Sequence, residues 1–438
     1  IVALIGVRSV LLRSPKKVEE IMNGKTTQSV LVVGGGMSGL TAAVEIGEVG
    51  YDVVIVERRP YLGGRVAQLH QYFPKLCPPY CGLEINFRRI KDNPHIKFFT
   101  SAEVEKILGQ AGNFDVTIKI KPRYVNNNCT ICGKCVEACP EERTDEFNYG
   151  LSKTKAIYLP HEMAFPAKYA IDETACNKCG KCVEVCPYNA IDLNEEVKTV
   201  DLKVGAIIWA TGWKPYDATK MDKLGFGKYP NVITNVMMER LAAVNGPTKG
   251  KILRPSDHKP PKSIAFVQCA GSRDENHLPY CSAICCLASM KQANYIKEQY
   301  PDAKIYIFYI DLRAFGRFED FYNRIKELEN VSFIKGKVAN ITETKDKTLI
   351  VEAEEALAAK KIKQEVEMVV LATGMMPVTT EEKVPAEGVV YDEFNFLSDL
   401  EDGGIYAAGC SKRPMDVASC VQDATGAAIK AIQTIVRR

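Results

Sequence analysis

A four-cysteine motif that ends in proline occurs twice in the chain, with a separation of 47 residues. The first copy, C-x2-C-x2-C-x3-C-P, covers residues 129–140, and the second repeats the spacing over 176–187. Three thiolates from one tight loop suit a [4Fe–4S] cubane, and in two-cluster ferredoxins the fourth cysteine ligates the other cluster. Zinc sites or disulfides are the alternatives. The predicted ligand sets are Cys129, Cys132, Cys135 and Cys186 for one cluster, and Cys176, Cys179, Cys182 and Cys139 for the other.

Sixteen cysteines stand out in a composition that is otherwise typical of a globular protein. Of the 438 residues, 46% are hydrophobic and 25% are charged. Disulfide-rich secreted scaffolds are short and have small cores. Clustered cysteines in a chain of this length therefore indicate metal binding in an intracellular protein.

Charge and hydropathy argue against two other classes of protein. The net charge of +3 is too small to indicate a nucleic-acid-binding protein. No run of 18 apolar residues occurs, so we expect no transmembrane segment of the chain's own. Residues 1–25 make a poor signal peptide and are interpreted as an N-terminal extension without an assigned function.

A nucleotide-binding unit begins at the valine-rich run 29–33, which is typical of a buried strand. G-x-G-x-x-G follows at 34–39, then a helical stretch, a second apolar strand and Glu57. The glycines permit a tight turn, close approach to a pyrophosphate and helix–strand packing, while the acid accepts from a ribose hydroxyl. The predicted binding residues here are Gly34, Gly36, Met37, Ser38, Gly39 and Glu57.

The residues after Glu57 decide which dinucleotide is expected. The segment 57–65, ERRPYLGGR, resembles the E-x5-G-G-R segment of flavoproteins with two dinucleotide-binding domains, which bind FAD there. Two apolar strands, 204–212 and 368–374, end in Ala-Thr-Gly, which in that class marks the crossings between the FAD domain and a middle domain. The resemblance adds Arg58, Gly63, Gly64, Arg65, Ala210, Thr211 and Gly212 to the predicted FAD site.

The last segment of the chain also resembles that class. GIYAAG at 404–409 precedes a helix whose N-terminus is expected to point at the flavin ring. Cys410 stands where the class usually has aspartate, so we expect Asp416 to replace that carboxylate. Gly409, Asp416 and Val417 complete the predicted FAD contacts.

The middle domain is expected to lack a nicotinamide site. Its strand, 263–268, leads into CAGSRD, which has one glycine where a dinucleotide fingerprint needs three. The next helix, 284–300, and strand, 304–311, are still predicted. Without close backbone approach a pyrophosphate has no seat, so we expect no hydride transfer from NAD(P)H.

Cysteines take the place of those glycines. Cys269, Cys281, Cys285 and Cys286 gather at the strand end and the start of the next helix, where they could hold a third [4Fe–4S] cluster. Their spacing matches no generic ferredoxin rule. Buried free thiols or a four-cysteine zinc site are the alternatives, although adjacent cysteines are unusual for structural zinc.

Together these motifs resemble the A subunit of heterodisulfide reductases from residue 29 to residue 436. Further segments that show this resemblance are KAIYLP at 155–160, FYIDLRAFGRFEDFY at 308–322 and AGCSKRPMD at 408–416. In that family the middle-domain cysteines hold an unusual [4Fe–4S] cluster. The resemblance implies an α/β flavoprotein with two dinucleotide-binding domains, thioredoxin-reductase-like, with an inserted α+β double-cluster ferredoxin domain. The predicted segments are FAD-binding at 26–121, 196–261 and 367–438, ferredoxin at 122–195, and middle domain at 262–366.

Within the family, the short architecture and CPPYC at 77–81 look most like the A subunit of the quinone-interacting membrane-bound oxidoreductase complex. That likeness implies an FAD and iron–sulfur protein that passes electrons between adenylylsulfate reductase and a quinone-linked membrane subunit in anaerobic sulfate reduction. The implied partners are a membrane or B/C-type subunit together with a second flavin or iron–sulfur subunit. The implied location is the cytoplasm. Any association with the membrane is expected to be peripheral and to occur through partner subunits.

Three other functions stay open. The first is an electron-bifurcating A subunit of heterodisulfide reductase, and the second is a flavin disulfide reductase that uses Cys77 and Cys81. The third is an NADPH-fed flavoenzyme. No nucleophile–base pair stands out in the sequence, so no catalytic residue is assigned; Cys410 is interpreted as either flavin-adjacent or structural, and Cys420 as structural.

Overall fold

The computed structural model describes residues 28–355, 360–399 and 403–437. The N-terminal extension expected at residues 1–25 lies outside this range. Strands and helices are numbered below in chain order.

The chain opens with a parallel α/β unit followed by an antiparallel hairpin. Its first strand is buried at every position, as its valine-rich sequence predicts. The elements are β1 Ser29–Val33, α1 Met37–Glu48, β2 Asp52–Glu57, α2 Pro79–Asp92, β3 Ile96–Thr100, β4 Ala102–Gln110 and β5 Asn113–Ile120.

A small domain with short elements follows this hairpin and is inserted between β5 and the next strand of the same sheet. Its elements are α3 Lys134–Ala138, β6 Glu142–Thr144, β7 Lys153–Lys155, β8 Ile157–Tyr158, β9 Ala170–Ile171 and α4 Lys181–Glu184. The chain then returns through β10 Lys198–Val204 and β11 Ala206–Trp209. Because β10 pairs antiparallel with β5, the small domain leaves the hairpin and re-enters it at neighbouring points.

The middle domain follows as a second α/β unit. Its elements are β12 Trp213–Pro215, β13 Val232–Thr234, α5 Asn235–Ala242, β14 Ser263–Ala270, α6 Cys285–Gln299, β15 Lys304–Tyr309, α7 Phe318–Lys326, β16 Val331–Glu343, β17 Leu349–Glu355, β18 Lys360–Val366, β19 Met368–Thr373 and β20 Met375–Pro377. The chain ends with β21 Val390–Tyr391, β22 Leu397–Ser398, β23 Ile405–Ala407 and α8 Val417–Val436. No helix in the described part of the chain is both long and apolar enough to cross a membrane.

Two parallel sheets form the centres of the two α/β domains. The first has the strand order β23-β11-β1-β2-β3, and α8 packs against α1 on it. The second has the order β13-β19-β14-β15-β16-β17-β18, with its last pairings antiparallel. The sheet topology, with the small domain inserted, agrees with the predicted fold class.

The predicted boundaries of the middle domain are wrong at both ends. The sequence places Val232–Thr234 in the FAD domain at 196–261, but β13 pairs with β19 in the middle sheet. It also places Met368–Thr373 in the FAD domain at 367–438, but β19 lies between β13 and β14. The crossings are therefore the short strands β12 and β20, which pair with each other. The Ala-Thr-Gly sequence marks the end of a strand in either sheet and cannot tell which sheet the strand joins.

Buried polar contacts fix the three domains relative to one another. Lys291 on α6 lies 2.9 Å from a carboxylate oxygen of Glu239 on α5, with both side chains buried. From the first domain, the Gln71 carbonyl accepts from Lys291 (2.5 Å), and the His70 N–H donates to Glu239 (3.1 Å).

Arg240 extends this network to the small domain. Its fully buried guanidinium donates to the Asn148 side chain (2.8 Å) and to the Gln68 carbonyl (3.1 Å). It also lies over the Phe147 ring, at 4.6 Å from the ring centroid. A charge buried in this way is tolerated because its hydrogen bonds are satisfied.

Removing the ammonium of the buried pair should destabilise the protein strongly. We expect Lys291→Met to lower the free energy of unfolding by about 3–5 kcal/mol, because an uncompensated carboxylate stays buried. The matched control is Lys121→Met, since Lys121 pairs with Glu103 at 2.8 Å on the surface. That change should cost less than about 1 kcal/mol. Denaturant unfolding followed by tryptophan fluorescence measures the free energy of unfolding of both variants. Equal losses in Lys291→Met and Lys121→Met would contradict a larger contribution of the buried pair.

Candidate functional site

A cleft of about 370 Å³ opens at the carboxyl ends of β1 and β2, at the strand ends where ligands bind in open α/β sheets. Its walls combine the glycine loop after β1, the end of β2 and the residues after β11. Most of the predicted FAD residues line it. They are Gly34, Gly36, Met37, Ser38, Glu57, Arg58, Gly64, Arg65, Ala210, Thr211 and Gly212.

The glycine loop leaves room for a ligand at one position and packs tightly at the others. A Cβ on Gly34 would lie 2.4 Å from the Ala210 carbonyl oxygen, and φ is +109° there. A Cβ on Gly39 would lie 1.8 Å from the Gly34 carbonyl oxygen, so this glycine serves helix–strand packing. At Gly36 the nearest atom, Cα of Gly64, is 3.8 Å away. The backbone at Gly36 is therefore open to close approach by a ligand.

Glu57 is held for hydrogen bonding at the end of β2. One carboxylate oxygen accepts from the Gly35 N–H (2.6 Å), and the other accepts from the Arg59 N–H (2.8 Å). Each oxygen keeps further acceptor capacity toward the cleft. This geometry fits a ribose hydroxyl donor.

Arg65 brings a positive charge to the cleft. Its guanidinium donates to the Trp213 carbonyl (2.5 Å) and to the Tyr149 hydroxyl (3.1 Å), which are neutral acceptors. Burial lowers the pKa of Arg65 from its usual value. The neutral partners leave the charge uncompensated, which suits a ligand that carries phosphate groups.

Trp209 is a site residue that sequence reasoning missed. Its side chain lines the cleft, and its buried indole N–H has no partner among the described residues. A buried donor of this kind is costly unless something accepts from it. Its place directly before Ala-Thr-Gly was the available signal, and the chain's other tryptophan, Trp213, lines the same cleft. The open backbone at Gly36 and this orphaned donor fit a bound flavin dinucleotide.

Five predicted FAD residues do not line the cleft: Gly39, Gly63, Gly409, Asp416 and Val417. The Asp416 carboxylate caps α8: its two oxygens accept from the Ser419 N–H and from the Ser419 hydroxyl, at 2.9 Å each. The Gly409 N–H donates instead to Asp423 (2.8 Å). Any contact of these five residues with a flavin stays a prediction.

The eight ferredoxin-motif cysteines form two groups in the small domain. One cavity is lined by Cys129, Cys132, Cys135 and Cys186, and the other by Cys139, Cys176, Cys179 and Cys182. These are the two sets predicted from the exchange of the fourth cysteine.

Backbone N–H groups in the loops around the two cavities donate hydrogen bonds to cysteine sulfur atoms. The Lys178 N–H donates to Cys176 Sγ and the Ala190 N–H to Cys186 Sγ, both at 3.4 Å. Gly133 and Gly180 have φ of +86° and +80°, which lets each loop turn sharply before its helix. Burial raises the pKa of the Cys135 thiol to about 12, so a bound metal would be needed to hold the thiolate.

Each predicted ligand set has a cavity of its own in the small domain. Among the described residues, no three His, Cys, Asp or Glu side chains converge closely enough to hold one metal ion.

The four middle-domain cysteines also lie together. Cys269 has φ of +56° beside an irregularity of β14, while Cys285 and Cys286 begin α6. The Cys285 thiol faces the Thr373 carbonyl (3.8 Å) at the end of β19, and the Cys286 thiol faces the Asp311 carbonyl (3.7 Å) after β15. They therefore occupy the strand ends where a second dinucleotide would dock.

The protonation of this group reflects its burial. Burial raises the pKa of Cys269 to about 11, and burial together with the neighbouring thiols raises the pKa of Cys285. Arg273 stands beside the thiols and pairs with Asp311 at 2.8 Å. Without a metal, the Cys269 and Cys285 thiols would thus stay protonated at neutral pH, and a metal must displace those protons to bind.

Cys77 and Cys81 lie outside the cleft. Cys77 is half-buried and Cys81 is exposed, and neither is among the lining residues. The cysteines that do line it are Cys410 and Cys420. The hypothesis of a flavin-adjacent pair at 77 and 81 therefore has no support from this geometry.

Three family models match parts of the chain. An NAD(P)-binding Rossmann-like domain matches residues 32–97, and 4Fe-4S binding domains match 126–150 and 169–192. Two solved structures share the fold at 14% sequence identity. Thioredoxin reductase from T. acidophilum gives a TM-score of 0.51 with 93% of this chain and 98% of that chain covered, and the enzyme from Lactococcus lactis gives 0.52 with 94% and 100%.

Fold and site together define a thioredoxin-reductase-like fold with a flavin-binding Rossmann unit and two inserted 4Fe-4S motifs. Over 426 residues the chain is 42% identical to an iron–sulfur A subunit of the CoB–CoM heterodisulfide reductase of Methanopyrus kandleri, with 94% of this chain and 65% of that protein covered. It is 39% identical to the A subunit of the H(2):CoB-CoM heterodisulfide,ferredoxin reductase of Methanothermobacter thermautotrophicus, with 93% and 64% covered. Its similarity to the A subunits of heterodisulfide reductases covers almost the whole of this chain, which spans slightly less than two thirds of the length of these relatives.

The open position in the glycine loop gives a direct test of the cleft. Gly36→Ala should fold, because φ is −81° and the new Cβ has 3.8 Å of clearance, but the methyl group should block the ligand. We expect FAD affinity to fall at least about tenfold, equivalent to ~1.4 kcal/mol. The control is Gly426→Ala on α8, where a Cβ meets no atom within 4 Å. Equal FAD content in reconstitution titrations of both variants would place the flavin elsewhere.

Proposed function

We propose that the chain is the FAD- and iron–sulfur-containing electron-transfer subunit of a heterodisulfide reductase-type complex. The observation that carries the proposal is that one chain combines the flavin-type cleft with two four-thiol cavities of the ferredoxin pattern. Bound FAD would exchange electrons in pairs or singly, and the clusters would pass them singly. The chain's own part is to hold these groups at fixed positions.

The buried network supports that role. Arg240 joins the small domain to the first domain through Asn148 and Gln68, and the Glu239–Lys291 pair joins the first domain to the middle one. Exposed Cys132 and Cys179 bring the edge of each ferredoxin-type cavity to the surface. A partner could therefore exchange electrons with the small domain without opening the chain.

We further propose that Cys269, Cys281, Cys285 and Cys286 hold a third [4Fe–4S] cluster. In its support, the four thiols gather at the carboxyl ends of β14, β15 and β19, where the glycines of a second dinucleotide site would otherwise stand. The Ala283 N–H donates to Cys281 Sγ (3.3 Å), as expected beside a cluster ligand. Because cysteines replace the glycines that would bind the pyrophosphate of NAD(P)H, nicotinamide is not proposed as the electron donor.

The relatives bear on the choice of complex. Those of Methanopyrus kandleri and Methanothermobacter thermautotrophicus, and a third of Methanosarcina acetivorans at 36% identity, are all named for heterodisulfide reductase. The names favour the heterodisulfide reductase alternative over the leading expectation from the sequence, the quinone-linked complex with adenylylsulfate reductase. The proposed partners are accordingly further reductase subunits.

Anaerobic co-purification of the tagged chain from its native cells tests the complex. We expect B/C-type reductase subunits to be recovered with it, because the proposed function needs acceptors for its electrons. Recovery of adenylylsulfate reductase and a cytochrome-type membrane protein in their place would restore the quinone-linked alternative. Recovery of the chain alone, with full cofactor content, would contradict membership of a complex.

Iron counting tests the third cluster. We expect about twelve irons per flavin from three cubanes. Cys281→Ser should lower the count toward eight, because it removes one ligand of the middle-domain set. Cys77→Ser, which changes a thiol outside every proposed set, should leave it at twelve. About eight irons in the unaltered protein would contradict the third cluster and leave the other two in place.

A further inference from the structure

Two thiols lie against each other in the wall of the flavin cleft. Cys410 belongs to the short turn 409–411 after β23, and Cys420 lies in the first turns of α8. Their sulfur atoms are 3.6 Å apart, and both side chains are buried. Both residues line the cleft together with Ser38 of the glycine loop.

Apolar side chains pack around the pair, and the carboxylates of Asp416 and Asp423 lie close enough to act on the Cys420 thiol. Met375, Met415, Trp213 and Ile284 pack around the two thiols. Ile284 directly precedes Cys285 of the middle-domain group. The pair thus lines the cleft and is packed against the residue that precedes the middle-domain helix α6.

The two thiols are chemically unlike. The hydrogen bond from Cys410 lowers the pKa of Cys420, assisted by the Ser38 hydroxyl and opposed by burial and by the charges of Asp416 and Asp423. The same hydrogen bond raises the pKa of Cys410 well above the usual value, with burial adding to it. Cys420 is therefore the sulfur of the pair that loses its proton more readily, and the thiolate is the form that takes part in disulfide chemistry.

We propose that Cys410 and Cys420 form a thiol–disulfide couple that exchanges two electrons with the bound flavin. In the oxidising direction, the S–H bond of Cys410 breaks and a bond forms between the two sulfurs. The electron pair and the proton pass to oxidised flavin, so that a thiol, a thiolate and oxidised flavin become a disulfide and anionic reduced flavin. This inference rests on the flavin site proposed above.

The geometry permits the bond with a small movement. A disulfide needs an S–S distance of about 2.05 Å, so the sulfurs must approach by roughly 1.5 Å. Both residues are at element ends, Cys410 in a short turn and Cys420 near the start of a helix, where such a shift disturbs the fewest backbone hydrogen bonds. A merely structural pair in an apolar core would need no opening to the cofactor cleft.

Differential alkylation of the holoprotein tests the couple. Protein purified anaerobically with measured flavin content is poised with ferricyanide or with dithionite, alkylated, unfolded, and its remaining disulfides are mapped by mass spectrometry. We expect a Cys410–Cys420 disulfide in the oxidised sample and two alkylated thiols in the reduced one. Free thiols in both samples of flavin-loaded protein would overturn the inference, whereas absence of flavin from the purified protein would instead overturn the proposed flavin site.

Electron counting supplies a second readout. In a reductive titration with dithionite, Cys410→Ser and Cys420→Ser should each accept two electrons fewer per chain than the unaltered protein. Cys77→Ser is the matched control and should accept the same number as the unaltered protein. Only variants with unchanged flavin and iron content are compared. If neither serine variant meets that condition, the alkylation experiment on the unaltered protein tests the inference. Equal electron counts in loaded variants would also overturn the inference.

Discussion

The buried Arg240 guanidinium holds three parts of the chain in one arrangement. It reaches Asn148 of the small domain and Gln68 of the first domain from a helix of the middle domain, next to the buried Glu239–Lys291 pair. Electron transfer between fixed groups depends on their separation, which the protein sets. Loss of this contact would therefore affect all three proposed cofactor regions together, although Arg240 touches none of the proposed cluster ligands.

A common principle connects the flavin cleft and the middle-domain thiols. Each lies at the carboxyl ends of parallel strands, where side chains and loops from several strands meet. After β1 the loop leaves open backbone at Gly36, which suits a phosphate-bearing ligand. At the end of β14 the equivalent position carries Cys269 in a left-handed conformation, and Cys285 and Cys286 begin the following helix. The same scaffold thus offers a nucleotide seat in one domain and a set of thiols in the other.

The sequence was sufficient where local spacing determines geometry. The exchange of Cys139 and Cys186 between two thiol groups follows from the motif and is found in the structure. Strand pairing over long separations was not accessible, so the prediction for Met368–Thr373 names the wrong domain. The closeness of Cys410 and Cys420, and the orphaned N–H of Trp209, arise from packing between a turn, a helix and a strand end. No periodicity or spacing encodes such contacts. The Asp416 carboxylate caps α8, and its expected contact with a flavin stays a prediction.

The paired strands β12 and β20 have a consequence for how the domains are joined. The middle domain leaves and rejoins the first domain through strands that hydrogen-bond to each other, and the small domain does the same through β5 and β10. The two ends of each inserted domain are therefore neighbours in space. Deleting either domain would leave two chain ends close enough for a short loop to connect them, so each insertion can be removed without unpairing the strands of the first parallel sheet.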